Sequence, residues 1–349
     1  MNSPLVSIVI CEHNTDLEML DQCLGSIYKQ TYKNFEIVFV NDCSSTNFSS
    51  LDYFSSNIIR VINNKTNLGI AKSRNIGIKN SNGKYVAFMD TDDVSEPERI
   101  EKQVMFLEEN HNVVACGTWF RQFGKKDNSV KRIIDDNEYY RCCLLFGNVP
   151  TILNPSAMIR KSTMIENNIS YDDRLKYGED YDMWIKLSDV GIVTNLKEIL
   201  MNYRIRDGQL SERNDRNYLN DDLWLIFAKQ LTSVGIDINK YDESFLRTNF
   251  KSKTIDALKY FKFLKDISNC NSLSKRYIQD VLDYRIKEQW KTKIYSIKNP
   301  FKLLRLLFAL PFKDKFSTIR IELGRLNRRK VNQRELLGLI EYKYVKEQK

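Results

Sequence analysis

Histidine is scarce in this chain of 349 residues: there are two, His13 and His111. None of the seven cysteines forms a C-x-x-C pair, so the His/Cys ligand sets of zinc sites have little to be built from. The odd cysteine count, with Cys142 and Cys143 adjacent and Cys11 and Cys116 inside apolar runs, fits buried reduced thiols better than a disulfide framework. Long apolar runs are missing too. None approaches the ~20 residues that span a bilayer. The longest candidate, residues 303–312, is broken by Arg305 and Pro311. No signal-peptide pattern follows Met1, and there is no internal repeat, low-complexity segment or recognisable nucleic-acid module. The expectation is a cytoplasmic protein that binds no nucleic acid.

What is present is ample core material and an uneven charge. Hydrophobic residues make up 42% and charged residues 28%, the balance of a soluble folded chain. The net charge is +9, but residues 247–349 carry 26 Lys+Arg against 10 Asp+Glu, whereas the rest carries 28 against 35. An acidic body therefore bears a basic tail, which points to a polyanionic partner. Residues 285–330 interleave Lys and Arg with Trp290, Tyr295, Phe301, Leu303, Phe308 and Phe312. Such a stretch reads either as a segment for an anionic membrane surface or as a helical subdomain with solvated lysines.

Short apolar runs at 5–11, 35–40, 58–62, 84–89 and 113–120 read as strands, several of them buried on both faces. Between them, Leu17, Leu20, Leu24 and Ile27 repeat at helical spacing, residues 69–80 read as a helix, and Ser95 with Glu98 predicts a capping box for a helix running to Asn110. Later segments read as a strand within 154–162, a helix over 178–191 and a strand over 198–206. Beyond 217 the chain reads as helical. This βαβ alternation predicts a doubly wound α/β domain with a mostly parallel sheet and helices on both faces. Ligands of such sheets bind beyond the carboxyl ends of the strands, where Asn14, Asp42 and Asp90 to Asp93 all fall. Three carboxylates within four residues repel one another unless a cation neutralises them. Mg²⁺ or Mn²⁺ takes such oxygen ligands together with substrate phosphates. The plain alternative is a polar turn before a capped helix.

The runs VSIVICEHN, FVNDCSS, NLGIAKSRNIGI, GKYVAFMDTDD and YGEDYDMW resemble, in order and spacing, the successive motifs of family 2 glycosyltransferases, over roughly residues 4–210. The resemblance implies a GT-A fold: a catalytic domain over 1–212, with a nucleotide-sugar half to about 120 and an acceptor half after it, followed by a helical basic region over 213–349. It implies inverting transfer of a hexose or N-acetylhexosamine from a UDP-sugar. The acceptor would be a hydroxyl of a glycan, or of a polyprenyl-diphosphate-linked glycan at the inner face of the cytoplasmic membrane, in building a bacterial surface polysaccharide. By the same resemblance Asn14 lies along the nucleoside, Asp42 contacts the uracil and Arg74 contacts base or phosphate. Asp90 and Asp92 form the D-x-D pair at ribose and metal, with Asp93 assisting. Asp180 is the base, and Glu179 orients the acceptor or caps its helix.

The chain departs from the pattern in places. Cys11-Glu12-His13-Asn14 keeps only the Asn of the usual first loop, and Asn41-Asp42 replaces two aspartates. Where many members carry a metal-binding His after the late strand, this chain has Arg206, with Asp207 next. Arg204 and Arg206 are expected to hold the donor's diphosphate as cationic forks. The Q-x-x-R-W signature of processive members is absent, so single addition is expected. Two alternatives stand beside this reading: a sugar nucleotidyltransferase, for which residues 11–16 lack a Gly-rich loop, and a non-catalytic nucleotide-sugar-binding scaffold.

Overall fold

The computed structural model describes residues 3–125, 129–133, 135–137, 140–141, 144, 152–206, 209, 216–240, 257–269 and 286. The chain forms two compact units, Met1–Leu231 and Thr232–Lys349. The boundary expected at 212 lies within the first of these units. The basic stretch 285–330, apart from residue 286, and Asp207 lie outside the described residues.

In the first unit the apolar runs become β1 (Val6–Glu12), β2 (Phe35–Asn41), β3 (Ile59–Asn63) and β4 (Tyr85–Asp90), all parallel in the order β3-β2-β1-β4. The sheet continues through β8 (Met158–Arg160), antiparallel to β4 and to β6 (Val113–Gly124). It ends with β9 (Ile192–Ile205) parallel to β6, and the two-residue β5 (Val94–Ser95) antiparallel to β9, while β7 (Val130–Lys131) pairs β6. Successive strand residues face opposite sides, and both sides are covered. On one, Val6, Ile8, Ile10, Ile37 and Phe39 meet Leu20, Leu24 and Ile27 of α1 (Leu17–Tyr28) and Ile100, Val104 and Leu107 of α3 (Arg99–Glu109). On the other, Val9, Val38, Val86 and Phe88 meet Ala71 of α2 (Ile70–Lys79) and Met183, Trp184 and Leu187 of the helix Glu179–Ser188. α2 lies so close that a Cβ on Gly77 would sit 2.3 Å from Val9 Cγ1.

A short helix, α4 (Lys161–Glu166), precedes Glu179–Ser188, which is α5, and α6 (Arg216–Ser233) follows. In the second unit the described residues include α7 (Ala257–Ser268). No helix among the described residues is long and apolar enough to cross a membrane.

The expected capping box is not formed. Ser95 belongs to β5, four residues ahead of the first residue of α3, and its backbone N–H donates to Ser26 Oγ. The start of α3 is capped from a distance: the fully buried Gln30 accepts the Ile100 N–H at 3.1 Å, while its amide donates to Glu96 O at 2.7 Å and to Ser95 Oγ at 3.1 Å. One side chain beyond α1 therefore satisfies a helix terminus that its own sequence leaves open.

Candidate active site

The carboxyl ends of β1, β2 and β4 form one polar edge. After β1 the chain turns through Asn14, a non-glycine residue at φ +55°, a conformation Asn tolerates. Its Oδ1 accepts from the Ser45 N–H and Ser45 Oγ, each at 2.8 Å, and its N–H donates to Ser44 Oγ, so the β1 and β2 loops are tied together. His13 joins the same knot through Asp42 O at 2.9 Å and Asn67 Nδ2 at 2.8 Å.

Asp42 is buried and faces inward. Its Oδ1 accepts the Leu68 N–H at 2.8 Å and Asn64 Nδ2 at 2.9 Å, and its Oδ2 accepts the Gly69 N–H at 2.9 Å. Gly69 is the N-cap of α2 at φ +86°, so the carboxylate neutralises the positive end of that helix. Asp42 thus shapes the floor of the edge, whatever else it meets there.

The three aspartates at and just past the end of β4 point to different partners. Asp90 points to Arg74 Nη2 at 3.4 Å with its side chain 36% exposed. Asp92 Oδ2 accepts from Arg206 Nε at 2.6 Å, while its backbone O accepts from Arg204 Nε at 2.6 Å. Asp93 is fully buried and accepts the Arg204 N–H at 2.8 Å, its second oxygen having no hydrogen-bond partner. Burial, with Asp90 and Asp92 nearby, pushes its carboxyl well above the usual range. The sequence expectation placed Asp93 on a metal; the structure turns it away from the edge and onto β9. No group of three His, Cys, Asp or Glu side chains that could hold a metal exists among the described residues.

The two arginines expected on a diphosphate already hold this loop. Arg204 also donates to Gln22 Oε1 at 2.6 Å and stacks on Phe123, 4.4 Å from the ring centre. Arg206, 43% exposed, pairs through its Nε with the carboxylate of Asp92.

Arg74 links this edge to the acidic start of α5. It is buried, donating through Nη1 to Glu179 Oε1 at 2.7 Å and lying over the Tyr171 ring at 5.5 Å. Because a guanidinium only donates, the Asn154 amide oxygen faces it, accepting from Nε at 3.2 Å and Nη2 at 3.0 Å, and its nitrogen meets Tyr171 Oη at 2.9 Å. Burial disfavours the charge on Arg74, but Tyr171, Asp90 and Glu179 outweigh it and keep the group protonated. Glu179, 9% exposed, is pushed up to about 7 by burial and by Asp180, with Arg74 opposing. Asp90 is raised by burial, opposed by Arg74 and reinforced by Asp92, and it also feels the charge of Asp180.

At the helix start, Gly178 is the N-cap at φ +75°, so Glu179 does not cap α5. Its side chain turns inward onto Arg74. Asp180 is half-buried beside it and accepts the Tyr181 N–H at 2.7 Å. Asn154 and Tyr171 complete the cage around Arg74, and no periodicity or spacing in the sequence marks either of them. The polar edge at the strand ends and the acidic start of α5 therefore meet across one guanidinium. A carboxylate placed at such a junction can take a proton from a bound hydroxyl.

The family model for Glycosyl transferase family 2 matches residues 7–166. The uncharacterized glycosyltransferase RP339 of Rickettsia prowazekii is 32% identical over 66% of this chain and 73% of its own length. The amylovoran biosynthesis glycosyltransferase AmsE of Erwinia amylovora is 29% identical over 64% of this chain and 85% of its own. Among solved structures, S. aureus TarS 1-349 in complex with UDP-GlcNAc superposes with a TM-score of 0.56 over 94% of this chain and 93% of that one, at 18% identity, a likeness of fold. With its curled, mostly parallel sheet covered on both faces, the chain belongs to glycosyl transferase family 2 and is a glycosyltransferase of GT-A fold.

Proposed function

We propose that this glycosyltransferase moves a hexose or N-acetylhexosamine from a UDP-sugar to a hydroxyl of a glycan, or of a lipid-linked glycan, with inversion, in building a surface polysaccharide. One observation carries the reading: Arg74 spans from Asp90 at the end of β4 to Glu179 at the start of α5, at 3.4 Å and 2.7 Å. The donor edge and the acids thereby share one site. The amylovoran enzyme among the relatives supports the polysaccharide context, and the UDP-GlcNAc complex of the structural neighbour supports the donor class.

In this reading the nucleoside lies against Asn14 and the loop held by Asp42. The diphosphate lies at Asp90, Asp92 and Arg206, which is exposed enough to turn from Asp92 to a phosphate. The residues suit a divalent metal of modest protein ligation. Among the described residues, Arg206 alone pairs with the Asp92 carboxylate, through Oδ2, and the Asp90 side chain is partly exposed. One or two carboxylates with substrate phosphates is the usual Mg²⁺ arrangement. Asp92, with Asp90 beside it, would hold Mn²⁺ or Mg²⁺, which when bound stabilises charge on the leaving diphosphate. Asp180 takes the proton from the acceptor hydroxyl as its oxygen attacks the anomeric carbon and the bond to UDP breaks. Arg74 and Glu179 keep the two halves in register. The basic tail would bring the enzyme to an anionic membrane surface where a lipid-linked acceptor lies.

The test is the configuration of the product. Single displacement requires the anomeric configuration opposite to that of the donor, read from the proton coupling constant of the transferred sugar. A product that retains the donor's configuration rejects the mechanism.

A further inference from the structure

The acids of α5 are held from outside the segment that matches the family model. α6 presents Asp222, whose Oδ2 accepts two successive backbone N–H groups, Lys176 at 2.8 Å and Tyr177 at 2.9 Å. A single carboxylate oxygen taking two neighbouring amides is a charge-assisted clamp. The clamped amides lead directly into Gly178. There the backbone takes φ +75°, and an added Cβ would lie 3.0 Å from Leu223 Cδ2 and 3.3 Å from Ile226 Cδ1. One face of α6 thus covers the turn, with Asp222 on its amides and Leu223 and Ile226 against its glycine. The next two residues are Glu179 and Asp180. The direction in which α5 sets out, and with it the place of Asp180, depends on this turn.

We propose that Asp222 is a positioning residue for transfer, acting through the 176–178 turn on the first turn of α5. The proposal rests on the reading of Asp180 as base. Its effect is on geometry: small displacements of a reacting group lower a rate by about 10²-fold while leaving remote binding intact.

The test uses the full-length protein with Asp222→Asn, Asp222→Glu and a control, Leu225→Ala, at an exposed position of the same helix. In Asp222→Asn, kcat is expected to fall by about 10- to 100-fold while the donor KM stays within about twofold. The amides of Lys176 and Tyr177 are expected to exchange with D₂O about tenfold faster. Asp222→Glu, which keeps the charge, should recover most of kcat, and Leu225→Ala should change nothing. A wild-type kcat in Asp222→Asn despite faster exchange overturns the proposal. So does a loss that Leu225→Ala shares. Should Asp222→Asn fail to fold, Leu223→Ala probes the same turn: lower kcat at unchanged KM supports the clamp, and an unchanged kcat rejects it. Asp180→Asn in the same assay separates the two claims. If it stays active, the assignment of the base fails and the clamp's role falls with it; if it is inactive while Asp222→Asn is normal, the clamp alone is wrong.

Discussion

Replacing Asp180 by Asn is expected to lower transfer by on the order of 10²- to 10⁴-fold while leaving UDP affinity within about twofold. The substitution keeps size and the acceptor oxygen that meets the Tyr181 N–H, so α5 should start as before. What it removes is a carboxylate able to take a proton. Glu179 cannot stand in, because its side chain is buried against Arg74 and turned from solvent. Initial rates with a competent acceptor, set beside a UDP titration of the same variant, check both halves. A variant that transfers at near the wild-type rate removes Asp180 from the mechanism. One that loses UDP as well moves it from proton transfer to donor binding.

Replacing Arg74 by Ala is expected to destabilise the protein by about 3–5 kcal/mol, the usual penalty for removing one partner of a buried ionic cluster. Arg74 neutralises Glu179 and Asp90 and fills the space beside Asn154 and Tyr171. The loss should also depend on pH with a definite sign. An acid whose folded pKa lies above its ordinary value binds extra protons in the folded state, so stability falls as pH rises between the two. For wild-type Glu179 that window runs from about 4.5 to about 7. Arg74 opposes the rise at both Glu179 and Asp90, so its removal carries the upper end of both windows higher. The melting-temperature gap between wild type and Arg74→Ala should therefore widen from pH 5 to pH 8. A gap that is constant or narrows would mean that Arg74 acts by packing alone. Arg74→Lys is expected to recover only part of the loss, since one ammonium cannot reproduce a guanidinium that meets Glu179, Asp90 and Asn154 together.

How far the sequence could be read follows from where each feature's cause lies. β1, β2 and β4 were legible because a strand covered on both faces must be apolar throughout, and α1 because one face packs on the sheet. The sequence marks the long β9 only from 198, because its first part, IVTNLK, shows neither a continuous apolar run nor alternation. The capping box failed because Gln30, 70 residues before Ile100, takes the role that local pattern gave to Ser95. At the site, the positions of Asn14, Asp42, Asp90 and Asp92 at strand ends could be anticipated, and so could the start of α5 at the two acids. Their partners could not. Arg74 and Glu179 are 105 residues apart, and Arg204 and Asp93 are 111 apart. Contacts over such distances leave no spacing to recognise. The resemblance assigns Arg74 to base or phosphate; the fold adds that it is buried between Asp90 and Glu179. Asp93 read as a metal ligand because its neighbours in sequence are acids, but the turn after β4 sends it inward.

The central claim is that the carboxyl edge of this sheet binds a uridine diphosphate through Asp92 and a divalent metal. Calorimetric titration of UDP into wild type and Asp92→Ala, with and without Mn²⁺ and with GDP and CMP alongside, tests it most directly. Wild type should bind UDP more tightly with Mn²⁺ and in preference to GDP and CMP, and Asp92→Ala should lose the gain from the metal. A folded wild-type protein that takes up none of the three nucleotides would contradict the account and leave a GT-A scaffold without a donor.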